Sequence, residues 1–105
     1  MITAAHCTDG QNPANMVVDV GDTILATGME AFSAYLEVAE IRQHPNYDAN
    51  TISNDISILV LAQTLQLDKY PNIKPACLPG ALESFSYYDA VISGLGHISV
   101  HCRKI

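Results

Sequence analysis

Apolar residues in this chain come in short runs broken by Gly, Pro, Asn and Asp, the rhythm of short strands joined by turns. Residues 2–7 read as a strand end running into a tight or helical turn, and residues 8–14, with Asp9-Gly10 and Asn12-Pro13, as a loop. A strand is expected over residues 16–20 and a loop over 21–31. Residues 35–43 carry Leu36, Val38 and Ile41 among β-branched and aromatic neighbours, and are read as a strand. A helix is the rival there, since Leu36, Ala39 and Glu40 also fit a helical period. His44-Pro45-Asn46-Tyr47-Asp48 is a turn, because proline fixes its own φ and pushes the preceding residue out of the helical region. Residues 55–61 form the clearest strand, and their near-continuous apolar run predicts burial on both faces or in a barrel core. Residues 65–79 hold three prolines and read as an extended connector, and 87–93 as a last strand before Gly94-Leu95-Gly96. About five short strands and no long helix predict an all-β barrel or sandwich.

Composition narrows the class. A chain of 105 residues is one domain or less, and 49% hydrophobic with 15% charged residues fits a packed core rather than disorder. The net charge of −6 and five scattered Lys/Arg residues give no basic stripe, so nucleic acid is not an expected partner. No apolar run is long enough for a membrane span, and no membrane partner is expected. The first residues lack a basic segment followed by an apolar one, so no signal peptide is read there, and the simplest expectation is that the true beginning is missing. Three cysteines, Cys7, Cys77 and Cys102, leave at least one without a partner inside a monomer, and their spacing suits no zinc site.

The chemistry concentrates in Thr3-Ala4-Ala5-His6-Cys7 and in Asn54-Asp55-Ile56-Ser57-Ile58-Leu59. Imidazole accepts and returns a proton near neutral pH. His6 and Asp55 stand 49 positions apart, so only folding can join them. His44-Pro45-Asn46-Tyr47, Ile73-Lys74-Pro75-Ala76-Cys77-Leu78-Pro79 and Val91-Ile92-Ser93-Gly94-Leu95-Gly96 add three further landmarks. In this order the five segments resemble the trypsin/chymotrypsin-like serine proteases over nearly the whole chain, with histidine preceding aspartate as in the chymotrypsin arrangement.

The resemblance implies an incomplete N-terminal β-barrel of the chymotrypsin-like two-barrel fold, over residues 1–96, with a non-family tail at 97–105. It implies His6 as general base and acid, and Asp55 as the carboxylate that fixes its tautomer; these roles are those of the chymotrypsin-type triad itself. It also implies disulfide partners for Cys7 and Cys77 outside this chain, an extracellular location, protein or peptide substrates in the full-length form, and protease inhibitors as partners. No cofactor or metal is expected. The departures are Leu95 in place of the tryptophan usual between the two glycines, and the absence from these residues of a Gly-Asp-Ser-Gly-Gly segment with its serine and oxyanion amides. The expected function is therefore a fragment of a secreted serine endopeptidase, inactive alone and aggregation-prone. The alternative is a non-catalytic protease homologue acting as a protein-binding module; an unrelated small metal-binding β domain ranks third.

Weaker features have plainer readings. Asp22, Glu30 and Glu37 are read as a solvated acidic loop rather than a calcium site. His44, His97 and His101 are read as surface or turn residues, and a metal shared by His97, His101 and Cys102 is a minor alternative.

Overall fold

A computed structural model describes residues 1–23 and 32–91. Among them are four strands: β1 (Ile2–Thr3), β2 (Val17–Val20), β3 (Ala34–Gln43) and β4 (Ser57–Leu61). One helical turn, α1 (Ala5–Thr8), follows β1, and short 3-10 turns cover Pro13–Asn15 and Leu67–Lys69. The strands form one sheet in the order β1-β4-β3-β2, with all neighbours antiparallel. This is the all-β, partial-barrel architecture that the strand rhythm and the resemblance predict.

The core explains the strand assignments. Val18, Ala34, Leu36, Val38 and Leu59 form the buried cluster, with Met16, Val20, Ile41, Leu61, Leu65 and Tyr70 packed around it. In β3 the inward residues are at first Ala34, Leu36 and Val38, alternating with exposed Tyr35 and Glu37. Ala39 and Glu40 are then both exposed, and the inward set resumes at Ile41 and Gln43. The change of phase coincides with a shift in the β3–β4 register between Val38 and Glu40. An extra residue in one strand does this: it breaks the alternation and bends the strand. The bulge also explains the rival helical period, because Ala39 and Glu40 fall where strand alternation fails. β3 is a strand.

Two expectations are corrected. β4 is not buried on both faces: Ser57 and Leu59 are buried, while Ile58 between them is 48% exposed. Its cross-strand partner Ile2 is also exposed, so the pair leaves an apolar patch on the outer face. Near-continuous apolar sequence signals two-sided burial only when both faces are covered, and here one is open. Second, residues 87–91 form no strand and are exposed; Ile92 and Ser93 lie outside the described residues. The expected loop at 21–31 is described only as far as Thr23. Gly21 there has φ +88, and a Cβ would stand 2.6 Å from the Phe32 carbonyl oxygen, so the turn admits only glycine without rearrangement.

Candidate active site

Register brings the two candidate residues together. Thr3 pairs with Ser57 across β1 and β4. Because the strands are antiparallel, the chain leaving β1 runs beside the chain entering β4. His6, on α1, therefore meets Asp55, which stands just before β4.

The contact begins as a backbone problem. The first N–H groups of a helical turn have no partner within it. A serine, threonine, aspartate or asparagine usually caps them, but the N-cap here is Ala4, which supplies no side-chain acceptor. Asp55 performs that role from another element: its Oδ1 accepts the His6 backbone N–H at 2.8 Å. Its Oδ2 lies 2.6 Å from Nδ1 of the His6 ring. One carboxylate thus caps α1 and orients the imidazole that α1 carries.

The His6 backbone N–H, followed by the His6 ring, holds the Asp55 carboxyl below the usual carboxylate range; partial burial opposes the shift and does not overcome it. An ionised carboxylate on Nδ1 favours the tautomer with the proton on Nδ1, leaving the lone pair on Nε2. The Cys7 sulfur lies 3.4 Å from that Nε2. The His6 and Asp55 side chains are 41% and 22% exposed, so water screens the pair, and drying the site requires a further surface.

Supporting groups fix α1 from below. Gln43, at the end of β3, donates from Nε2 to the Ala5 carbonyl and to the Thr8 hydroxyl oxygen, each at 3.2 Å. The buried Thr8 hydroxyl donates to the same Ala5 carbonyl at 3.0 Å. Sequence reasoning did not single out Gln43; a polar residue on the inward phase of a strand was its signal. Tyr47 stands nearby, its hydroxyl pushed up first by burial and then by the negative charges of Asp55, Asp9 and Asp48.

The remaining candidates stand apart. Cys77 is exposed, and no disulfide joins cysteines among the described residues. No cluster of His, Cys, Asp and Glu among the described residues could hold a metal. Glu30, His97, His101 and Cys102 lie outside the described residues. His44 is a turn residue, its Nδ1 accepting the Asn46 N–H at 3.1 Å. A shallow depression of about 360 Å³ lies along Thr8, Gln11, Pro13, Ile41 and Gln43, and neither His6 nor Asp55 lines it. No helix among the described residues is long and apolar enough to cross a membrane.

The lowered Asp55 carboxyl sets a pH dependence. Its pKa is lower folded than unfolded, so its contribution is complete above the unfolded carboxylate value of about 3.9 and is lost as pH falls through the folded value. The His6 amide resonance, followed by NMR, is expected to titrate with a midpoint below about 3.9. A midpoint at or above that value would remove the carboxylate from the cap.

The family model described as Trypsin matches residues 1–102. Among curated proteins, the chain is 37% identical over 97 residues to the inactive CLIP domain-containing serine protease A28 of Anopheles gambiae, covering 91% of this chain and 25% of that protein. It is 36% identical over 100 residues to the transmembrane protease serine 9 of Rattus norvegicus, covering 93% of this chain and 9% of that protein. It is 34% identical over 103 residues to the vitamin K-dependent protein C of Mus musculus, covering 94% of this chain and 21% of that protein. The chain thus spans a quarter or less of the length of these relatives. With the family matched from β1 to well past β4, the chain belongs to the trypsin family.

Proposed function

We propose that this chain is the histidine- and aspartate-bearing part of a serine endopeptidase that works outside the cytoplasm on protein or peptide substrates and meets protease inhibitors. The observation that carries the reading is the double contact of Asp55 with the backbone and ring of His6. In that role Asp55 holds the proton on Nδ1, and Nε2 takes the proton of a serine hydroxyl as it attacks the scissile carbonyl. His6 then returns the proton to the leaving amine, and the cycle repeats with water on the acyl-enzyme. Asp55 stabilises the imidazolium formed at each step without itself taking the proton.

The nucleophile and the oxyanion donors have no counterpart in the 105 residues. Oxyanion donors aimed at the developing charge are a large part of catalysis. The isolated chain is therefore expected to hydrolyse fluorogenic peptides no faster than buffer. Turnover abolished by His6→Ala would overturn that expectation. The wider reading is tested on the natural protein, captured with an antibody to residues 35–47. A mass well above 11.3 kDa, together with labelling by a serine-directed fluorophosphonate, is expected.

The second reading, a non-catalytic homologue that acts by binding other proteins, draws on one observation: a relative at 37% identity is named an inactive serine protease. A natural species near 11.3 kDa that resists the fluorophosphonate would favour it.

A further inference from the structure

Asp55 reaches His6 from a loop whose backbone is set by one asparagine. Residues 44–56 join β3 to β4, and their two sides are cross-linked. The His44 N–H donates to the Ile56 carbonyl at 3.0 Å, and the Asp48 N–H to the Ser53 carbonyl at 3.1 Å. Between these two rungs the cross-link is a side chain: Asn54 donates from Nδ2 to the Asn46 carbonyl at 2.8 Å. Asn54 itself stands in the left-handed region, at φ +57. Asparagine enters that region more readily than other residues bearing a Cβ. The Ile56 N–H then donates to the Asn54 carbonyl at 2.8 Å, which closes a three-residue turn with Asp55 at its centre.

We propose that Asn54 is a positioning residue: its left-handed backbone and its amide bond to Asn46 together aim the Asp55 carboxylate at both the backbone and the ring of His6. Its consequence for catalysis rests on the protease reading, whereas the aim of the carboxylate does not. The two oxygens of Asp55 meet two different donors, at 2.8 Å and 2.6 Å. A small swing of the carboxylate therefore breaks one contact even where it keeps the other. The direction of that carboxylate follows from the dihedrals at Asn54, the residue before it.

The rest of the loop holds this arrangement in place. Ile52 has φ +55, a costly conformation for a β-branched residue. Strain of that kind persists only where the surroundings over-determine it. Here the Asp48 carboxylate accepts the Asn50 N–H at 2.8 Å and the Thr51 hydroxyl at 2.9 Å, and the same Thr51 hydroxyl also bonds Ser53 at 2.9 Å. These bonds shape the tip of the loop, while the Asn54 bond to Asn46 joins its two sides next to Asp55. Tip and aim can therefore be disturbed separately.

The experiment compares two substitutions with a control. Asn54→Gly keeps the backbone freedom and removes the amide bond; Asn54→Ala removes the bond and also disfavours the left-handed region. Thr51→Ala removes the hydroxyl bonds at the loop tip. In the 105-residue chain at pH 8, ring ¹⁵N shifts should show His6 with its proton on Nδ1. Asn54→Ala is expected to move it toward the tautomer mixture of an unheld imidazole, with Asn54→Gly in between and Thr51→Ala unmoved. In the full-length protein, Asn54→Ala should lower kcat about tenfold and Asn54→Gly about threefold, with KM nearly unchanged, since a misplacement of about 1 Å can cost about 10²-fold. Circular dichroism checks that the strands survive; if Asn54→Ala loses them, the glycine variant decides. Ring shifts unmoved by the Asn54 substitutions, or moved as far by Thr51→Ala, would overturn the proposal. So would an active parent whose kcat neither Asn54 substitution lowers. Ring shifts that move as expected in a full-length protein without peptidase activity would remove the protease reading and uphold the positioning role.

Discussion

Asp55→Asn, made in the full-length protein, is expected on the proposed protease reading to lower kcat about 10⁴-fold with KM nearly unchanged, the loss the same change causes in the best-studied serine-protease triad. The substitution separates the two roles that one carboxylate holds here. Asparagine keeps a side-chain oxygen where Oδ1 accepts the His6 backbone N–H, and it caps helices about as well as aspartate. The α1 turn should therefore survive. The amide nitrogen then occupies the place of Oδ2, 2.6 Å from Nδ1. An amide N–H donates and cannot accept, so Nδ1 must give up its proton and Nε2 must carry one. A protonated Nε2 cannot take the proton of a serine. Loss of the negative charge also withdraws stabilisation from the imidazolium.

The check has two parts. In the 105-residue chain, ring ¹⁵N shifts should move His6 from the Nδ1–H to the Nε2–H tautomer while the amide signals of α1 stay in place. In the complete enzyme, kcat should fall and KM should hold. A loss below tenfold would exclude Asp55 from the orienting role. A collapse of α1 in the asparagine variant would show instead that charge, not hydrogen bonding, holds the cap.

What the sequence made legible follows from locality. Short strands, the His44–Asp48 turn and the single turn carrying His6 rest on neighbouring residues, and the structure has them apart from the expected last strand, which residues 87–91 do not form. The extra residue at Ala39–Glu40 left a mixed period, which alternation alone could not resolve. The exposure of Ile58 could not be read from its own strand, because it depends on what covers the outer face. The meeting of His6 with Asp55 came from the resemblance, since 49 intervening positions hide it from any local pattern. The cap was not read from the sequence: Ala4 offers no side-chain acceptor, and the carboxylate that serves α1 comes from Asp55, 49 positions from His6.

Leu36→Ala is expected to cost about 2–5 kcal/mol, the range for a buried leucine cut back to a methyl group. Leu36 is 4% exposed at the centre of the cluster. It pairs with Val18 across β2 and β3, and its neighbours Ala34 and Val38 lie on the same face. Five residues form the buried cluster among the described residues, and a folded domain is stable by only about 5–15 kcal/mol. The loss is therefore a large fraction of the whole stability, and the urea midpoint of the variant should fall steeply. Ile58→Thr is the matched comparison on the same sheet. It keeps the β-branch, and Ile58 is 48% exposed, so its cost should be about 1 kcal/mol or less. Removing half of the outer Ile2–Ile58 patch should also reduce self-association in sedimentation, since exposed apolar surface drives it. Urea unfolding followed by circular dichroism distinguishes the two, with the midpoint shifting at constant slope for Ile58→Thr. Equal shifts for both substitutions would mean that the buried face of β3 is not where this fold keeps its core.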